Sequence, residues 1–141
     1  MEKRAIMVIE DCIDDQFLIL NALNAADIKN PITFIRDGKQ AIDYLRAICD
    51  KADALPCLIF LDLSLPRTNG MALLKELRSN AQTRRIPINI LTESAVEQNL
   101  MDCYNLGANS FITKRGDLKS FYEKIQCCCD YWLQICKLPV A

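Results

Sequence analysis

Cys57-Leu58-Ile59-Phe60-Leu61-Asp62-Leu63-Ser64-Leu65-Pro66 is the stretch on which the fold turns. Five apolar residues in succession, without polar alternation and closed by an acid, describe a short strand covered on both faces, as in the middle of a parallel sheet. Four comparable runs surround it, at 5–9, 31–35, 88–91 and 109–112. The runs at 5–9 and 57–61 are almost wholly apolar and suit the centre of the sheet, whereas 31–35 and 109–112 carry polar residues and suit its edges.

Helix-type segments alternate with these runs. Ile19, Ala22, Leu23 and Ala26 share one helical face, as do Ala41, Leu45 and Ile48, and then Gly70, Leu73, Leu74 and Leu77. A weaker pattern spans about 95–106, with Val96, Leu100 and Cys103 on one side and Gly107 as its stop, which fits a helix that moves. The last segment, 118–137, places Leu118, Phe121, Tyr122, Ile125, Cys128, Cys129 and Trp132 on one stripe. At roughly 30 Å it is the longest expected helix. Five strand–helix units predict an α/β fold, a doubly wound five-stranded parallel sheet with five helices. With no repeat or low-complexity linker, one domain is expected over 1–141, its core at about 3–125 and a helix extension and tail at about 126–141.

Composition narrows the function classes. The 17 basic and 18 acidic residues nearly cancel, giving a formal charge of −1 and no basic block to follow a phosphate backbone, so direct binding to nucleic acid is not expected. No apolar stretch nears the roughly 20 residues of a membrane span, and the amino end lacks a signal-peptide core, which predicts a cytoplasmic protein. The eight cysteines show no paired C-x-x-C spacing and are read as reduced thiols acting as small hydrophobes. Cys127, Cys128 and Cys129 point about 100° apart on a helix and cannot jointly hold one ion. Histidine is absent, which excludes Ser-His-Asp and Cys-His pairs, His-based metal centres and a phosphohistidine on this chain.

In such a sheet the functional crevice lies at the carboxyl ends of the strands. Glu10-Asp11 follow the first run, Asp62 the third, Thr92 the fourth and Thr113-Lys114 the fifth. Three converging carboxylates repel one another unless a cation intervenes, and an oxygen-only site with open positions suits Mg²⁺. Asp11 and Asp62 are expected to hold it, helped by the backbone carbonyl of Ser64 and by water placed by Glu10. Asp62, already ionised, is then a nucleophile toward a phosphoryl group, Lys114 a charge partner for that group and Thr92 a hydrogen-bond donor to it. Blander alternatives stand beside this: Glu10 and Asp11 as the polar start of a loop, Asp14 or Asp15 as helix caps, Lys114 as a solvated surface charge.

The ensemble Glu10-Asp11, Leu61-Asp62-Leu63-Ser64-Leu65-Pro66 with Asn69-Gly70, Leu91-Thr92 and Phe111-Ile112-Thr113-Lys114 resembles the receiver family of two-component signalling over about 3–122. The resemblance implies a flavodoxin-like sheet ordered 2-1-3-4-5 and Asp62 as phospho-acceptor from a sensor histidine kinase. It implies a signalling switch that accepts and hydrolyses the phosphoryl group itself, not a turnover enzyme. It also assigns Phe111, with Thr92, as the switch pair; by packing alone Phe111 is simply a strand residue. The ending, from Tyr131-Trp132-Leu133 to Leu138-Pro139-Val140-Ala141, is similar to single-domain receivers associated with phytochrome-like kinases. There the extended end helps form a dimer, which would involve Tyr131, Trp132, Leu133, Leu138 and Pro139. The message would then leave by protein contact.

Three positions depart from the family pattern: Glu93 in place of a small residue, Arg115 in place of a frequent proline, and Asn89 inside the fourth run, where a buried amide needs partners. Rival classes are weaker. A Mg²⁺-dependent aspartyl hydrolase needs a second acid at Ser64, and a flavin-binding protein of similar architecture needs a phosphate loop where Glu10-Asp11 stand. A receiver-like binding module that is never phosphorylated is the remaining alternative.

Overall fold

The computed structural model describes residues 3–51, 54–63, 65, 70–93 and 96–139. The strands are β1 (Ile6–Ile9), β2 (Ile32–Ile35), β3 (Leu58–Asp62), β4 (Ile88–Thr92) and β5 (Ser110–Thr113). They pair in parallel in the order β2-β1-β3-β4-β5, each within one residue of its expected bounds. The central strands β1, β3 and β4 are buried at every residue, while β2 and β5 are half-buried throughout, so the polar residues of the edge runs meet the sheet margins.

Period-two alternation divides the core. Ile6, Val8, Leu58, Phe60 and Leu91 face Ile19 and Leu23 of α1 (Ile13–Ala25) and Phe121 and Ile125 of α5 (Leu118–Asp130). Met7, Ile9, Ile59, Leu61, Ile88 and Ile90 face Leu45 of α2 (Gly38–Ile48), Leu73, Leu74 and Leu77 of α3 (Gly70–Ser79) and Cys103 of α4 (Glu97–Asn105). Each such side chain contributes about 1.5–3 kcal/mol on burial. Asn89 is fully buried; the Ser110 hydroxyl donates to its Oδ1 at 2.5 Å and its Nδ2 donates to the Ile59 carbonyl at 3.5 Å. The interruption in β4 is thereby satisfied.

Gly107 ends α4 as expected. At φ +101 its N–H donates to the Tyr104 carbonyl while the Ala108 N–H reaches Cys103, a double closure that only a residue at ease in the left-handed region makes without strain. Gly70 serves a different need. A Cβ there would stand 2.7 Å from the Asp62 carbonyl oxygen and from Leu63 Cα, so α3 touches the exit of β3 backbone to backbone. Gly70→Ala is expected to cost about 1–3 kcal/mol in urea unfolding by pushing these elements apart. An unchanged midpoint would show that the contact yields freely.

Three details differ from the sequence expectations. Leu118 is exposed, because it is the first residue of α5 and precedes the turn that meets the sheet. Val96 is exposed because it is the extended residue before α4, which starts at Glu97. The α5 ladder stops at Asp130 and continues as one π turn, Tyr131–Ile135, instead of running regularly to Lys137. Trp132, Leu133 and Leu138 pack half-buried against the α1/α5 core, and Arg4 Nη1 donates to the Pro139 carbonyl at 3.3 Å. Tyr131 and Ile135 remain exposed.

The cysteines are all free thiols. Cys127 is exposed, Cys128 half-buried and Cys129 buried, the 100° fan expected of three successive helical residues. Burial pushes the Cys129 and Cys128 thiols up to about 12 and raises those of Cys57 and Cys103, so little thiolate exists at neutral pH. Alkylation of the native protein at pH 8 should label the exposed Cys12 and Cys127 first and leave Cys57, Cys103 and Cys129 unlabelled until urea is added; peptide mapping reads the order.

Candidate functional site

Strand register assembles the site. Ile9 and Leu61 are partners across β1 and β3, so Glu10 and Asp62, each one residue further, leave the sheet side by side. Thr92 and Thr113 are partners across β4 and β5, which sets Lys114 just past the same edge. This lies beside the β1/β3 junction, where the chain reverses its winding: α1 and α5 cover one face, α2, α3 and α4 the other.

Glu10, Asp62, Thr92 and Lys114 are buried and Asp11 is half-buried. Carboxylate oxygens of Glu10, Asp11 and Asp62 all lie within 4.8 Å of one another. That spacing suits one small octahedral cation, whose ligand oxygens stand at roughly 2.1 Å from the metal. A divalent cation accounts for the chemistry of the donor set, since three acids converge on one ammonium. The Ser64 carbonyl, expected as a further ligand, lies outside the described residues, as do Pro66 and Asn69.

Lys114 Nζ donates to Glu10 Oε1 at 2.5 Å and to Asp15 Oδ2 at 2.7 Å. Burial works against its charge, but the bonds to Asp15 and Glu10 and the nearby Asp62 outweigh it and hold the ammonium above its ordinary range. Burial, followed by a hydrogen bond with Asp62, raises the Glu10 carboxyl well above the carboxylate range in spite of Lys114. A negative charge on Glu10 is therefore disfavoured when no cation is present.

Asp15 is the residue that sequence reasoning missed. It had been a candidate cap for α1, yet the N-cap is Cys12, which makes no side-chain cap bond, and Asp15 sits in the first turn aimed at Lys114. The partners are 99 residues apart, and only the strand order brings them together. The β1–α1 loop is pinned by Gln16 Nε2, which donates to the Glu10 carbonyl at 2.7 Å. Glu93 is exposed, and its carbonyl accepts from Arg115 Nε at 2.9 Å, so two of the departing positions clasp the rim of the site. Phe111, opposite Ile90 in the register, is half-buried against the α3/α4 side of the core.

A parallel sheet in this order, with acids after β1 and β3 and a buried lysine after β5, defines a receiver domain. The chain matches the response regulator receiver domain family over residues 6–126 and belongs to it. It is similar to the response regulator Rcp1 of Synechocystis sp., with 32% identity over 139 residues, 98% of this chain and 95% of Rcp1. It also shares 34% identity over 131 residues with the probable methanogenesis regulatory protein FilR2 of Methanothrix harundinacea, covering 91% of this chain and 83% of FilR2. Among solved structures it resembles the Mn²⁺-bound form of Rcp1, with a TM-score of 0.85 and 31% identity over 97% of this chain and 99% of that one. The phosphorylated cyanobacterial phytochrome response regulator RcpA gives a TM-score of 0.87 and 34% identity, with 99% of each chain covered. Among the described residues no helix is long and apolar enough to cross a membrane.

Proposed function

We propose that this protein is a phospho-acceptor response regulator in which Asp62 takes a phosphoryl group from a sensor histidine kinase. The observation that carries this is the convergence of Glu10, Asp11 and Asp62 with the buried Lys114 at one edge of the sheet. A carboxylate oxygen of Asp62 attacks phosphorus, a P–O bond forms, and the P–N bond to the donor imidazole breaks, the imidazole leaving with its electron pair. No general base is needed because Asp62 attacks as the anion. Lys114 offers a charged hydrogen bond to the transferred group and Thr92 a hydroxyl. Asp11 and Asp62 are the ligands expected for Mg²⁺, with Glu10 positioning its water; when bound, the ion neutralises charge gathering on the phosphoryl oxygens.

Thr92 and Phe111 are proposed as the switch that carries the phosphorylated state to the face of α4, β5 and α5. The similarity to RcpA, a phytochrome response regulator, supports a phytochrome-like kinase as donor. The exposed Tyr131 and Ile135, beside Trp132, Leu133, Leu138 and Pro139, support a homodimer through the helix extension. The action is that of a cytoplasmic switch, without direct contact with nucleic acid or membrane.

Intact mass after incubation with acetyl phosphate tests the proposal. With Mg²⁺ the wild type should gain the mass of one phosphoryl group, and with EDTA it should gain none. No gain with Mg²⁺, from acetyl phosphate or from a phosphorylated kinase, would leave a receiver-shaped binding module.

A further inference from the structure

We infer that Asp15 is a positioning residue that shares Lys114 with Glu10 while the cation is absent and competes with the phosphoryl group for it afterwards. The inference rests on the phospho-acceptor reading and deepens it. The Lys114 side chain is 2% exposed and donates to both Glu10 Oε1 and Asp15 Oδ2. Of these two acids only Glu10 belongs to the cluster whose oxygens converge on one point. Asp15 approaches the ammonium from the first turn of α1, at 24% exposure. That helix is fixed to the sheet by Ile19, Ala22 and Leu23, so Asp15 is held by a rigid element.

With a divalent cation held at the cluster, Glu10 would be drawn toward it and away from Lys114. Lys114 would then be a buried ammonium short of one anion, an arrangement that is costly unless another carboxylate remains. Asp15 is that carboxylate. It lets Glu10 turn to the cation without stranding the lysine, and so favours metal binding. Once the phosphoryl group is in place, the same carboxylate occupies part of the Lys114 donor capacity that would otherwise go to phosphoryl oxygens, and so shortens the life of the aspartyl phosphate. The two effects have opposite consequences for signalling, and both act through one side chain.

Asp15→Asn separates them. Calorimetric titration with MgCl₂ should show affinity about threefold to tenfold weaker than wild type. The phosphorylated protein, prepared with acetyl phosphate at saturating Mg²⁺, should lose its phosphoryl group about threefold to tenfold more slowly. Asp14→Asn is the control: it removes the same charge from the same turn, at an exposed position with no bond to Lys114. Wild-type Mg²⁺ affinity in Asp15→Asn overturns the inference, as does an equal loss in Asp14→Asn. An aspartyl phosphate that decays no more slowly in Asp15→Asn also overturns it. If the wild type takes up no phosphoryl group, the phospho-acceptor reading fails while the Mg²⁺ titration still decides the role of Asp15.

Discussion

The Asp62→Asn protein is expected to take up no phosphoryl group under conditions that label the wild type, and in EDTA to melt higher than the wild type. The first effect follows from replacing a carboxylate nucleophile by an amide, which has no anionic oxygen to attack phosphorus. The second follows from electrostatics. Three carboxylates lie within 4.8 Å of one another, Asp62 and Glu10 are buried, and Lys114 offsets Glu10 directly. Removing one charge while keeping the shape relieves like-charge repulsion of about 1–2 kcal/mol, which corresponds to roughly 3–8 °C for a chain of this size. On the proposed reading a bound Mg²⁺ would supply the missing charge in the wild type and stabilise its folded state, so adding it should shrink the gap. Thermal melts of both proteins, with EDTA and with Mg²⁺, provide the comparison. A mutant that melts lower than the wild type in EDTA would mean that Asp62 contributes more through its bonds than it costs through its charge.

Lys114→Met should act in the opposite direction. The ammonium is buried and serves Glu10 at 2.5 Å and Asp15 at 2.7 Å, and methionine fills its volume without its charge. Glu10 would then face Asp62 without the ammonium on its other side. Breaking a buried pair by removing one partner costs up to about 3–5 kcal/mol where the remaining charge persists, and less where Glu10, already raised well above the carboxylate range, takes up a proton. Urea unfolding at neutral pH in EDTA reads that loss. Combining Lys114→Met with Glu10→Gln should recover a large part of it, since the stranded charge goes too, and the double-mutant cycle isolates the coupling. A double mutant no more stable than Lys114→Met would place the loss in packing instead. On the proposed reading phosphoryl acceptance should fall sharply in Lys114→Met, because the charged donor to the transferred group would be gone.

The opposite signs expected of these substitutions express a site that trades stability for chemistry. Its acids converge because the register of β1 and β3 leaves them no other place, and the fold tolerates them because one lysine from the far side of the sheet is buried among them. The same crowding leaves one position for a divalent cation.

The apolar runs alone determined the five strands and their depth in the sheet, since a strand covered on both faces is predominantly apolar, with any buried polar side chain needing partners as Asn89 does, and an edge strand need not be. They also determined which residues lie at or just past the strand ends, and hence Glu10, Asp11, Asp62, Thr92 and Lys114. Gly107 could be read as the end of α4 because its need for positive φ is local. Tertiary structure decided what depends on neighbours distant in the chain. Asp15 looked like a cap because local sequence carries no trace of a lysine 99 residues away, and only the packing of α1 beside the end of β5 turns it into an ion-pair partner. Leu118 fitted the stripe of α5 by period but lies before the turn that meets the sheet, and Trp132, at the end of that stripe, packs half-buried on its own core. Periodicity specifies the angle a side chain takes around its helix; how far along the axis the neighbouring layer extends is a property of the assembled fold.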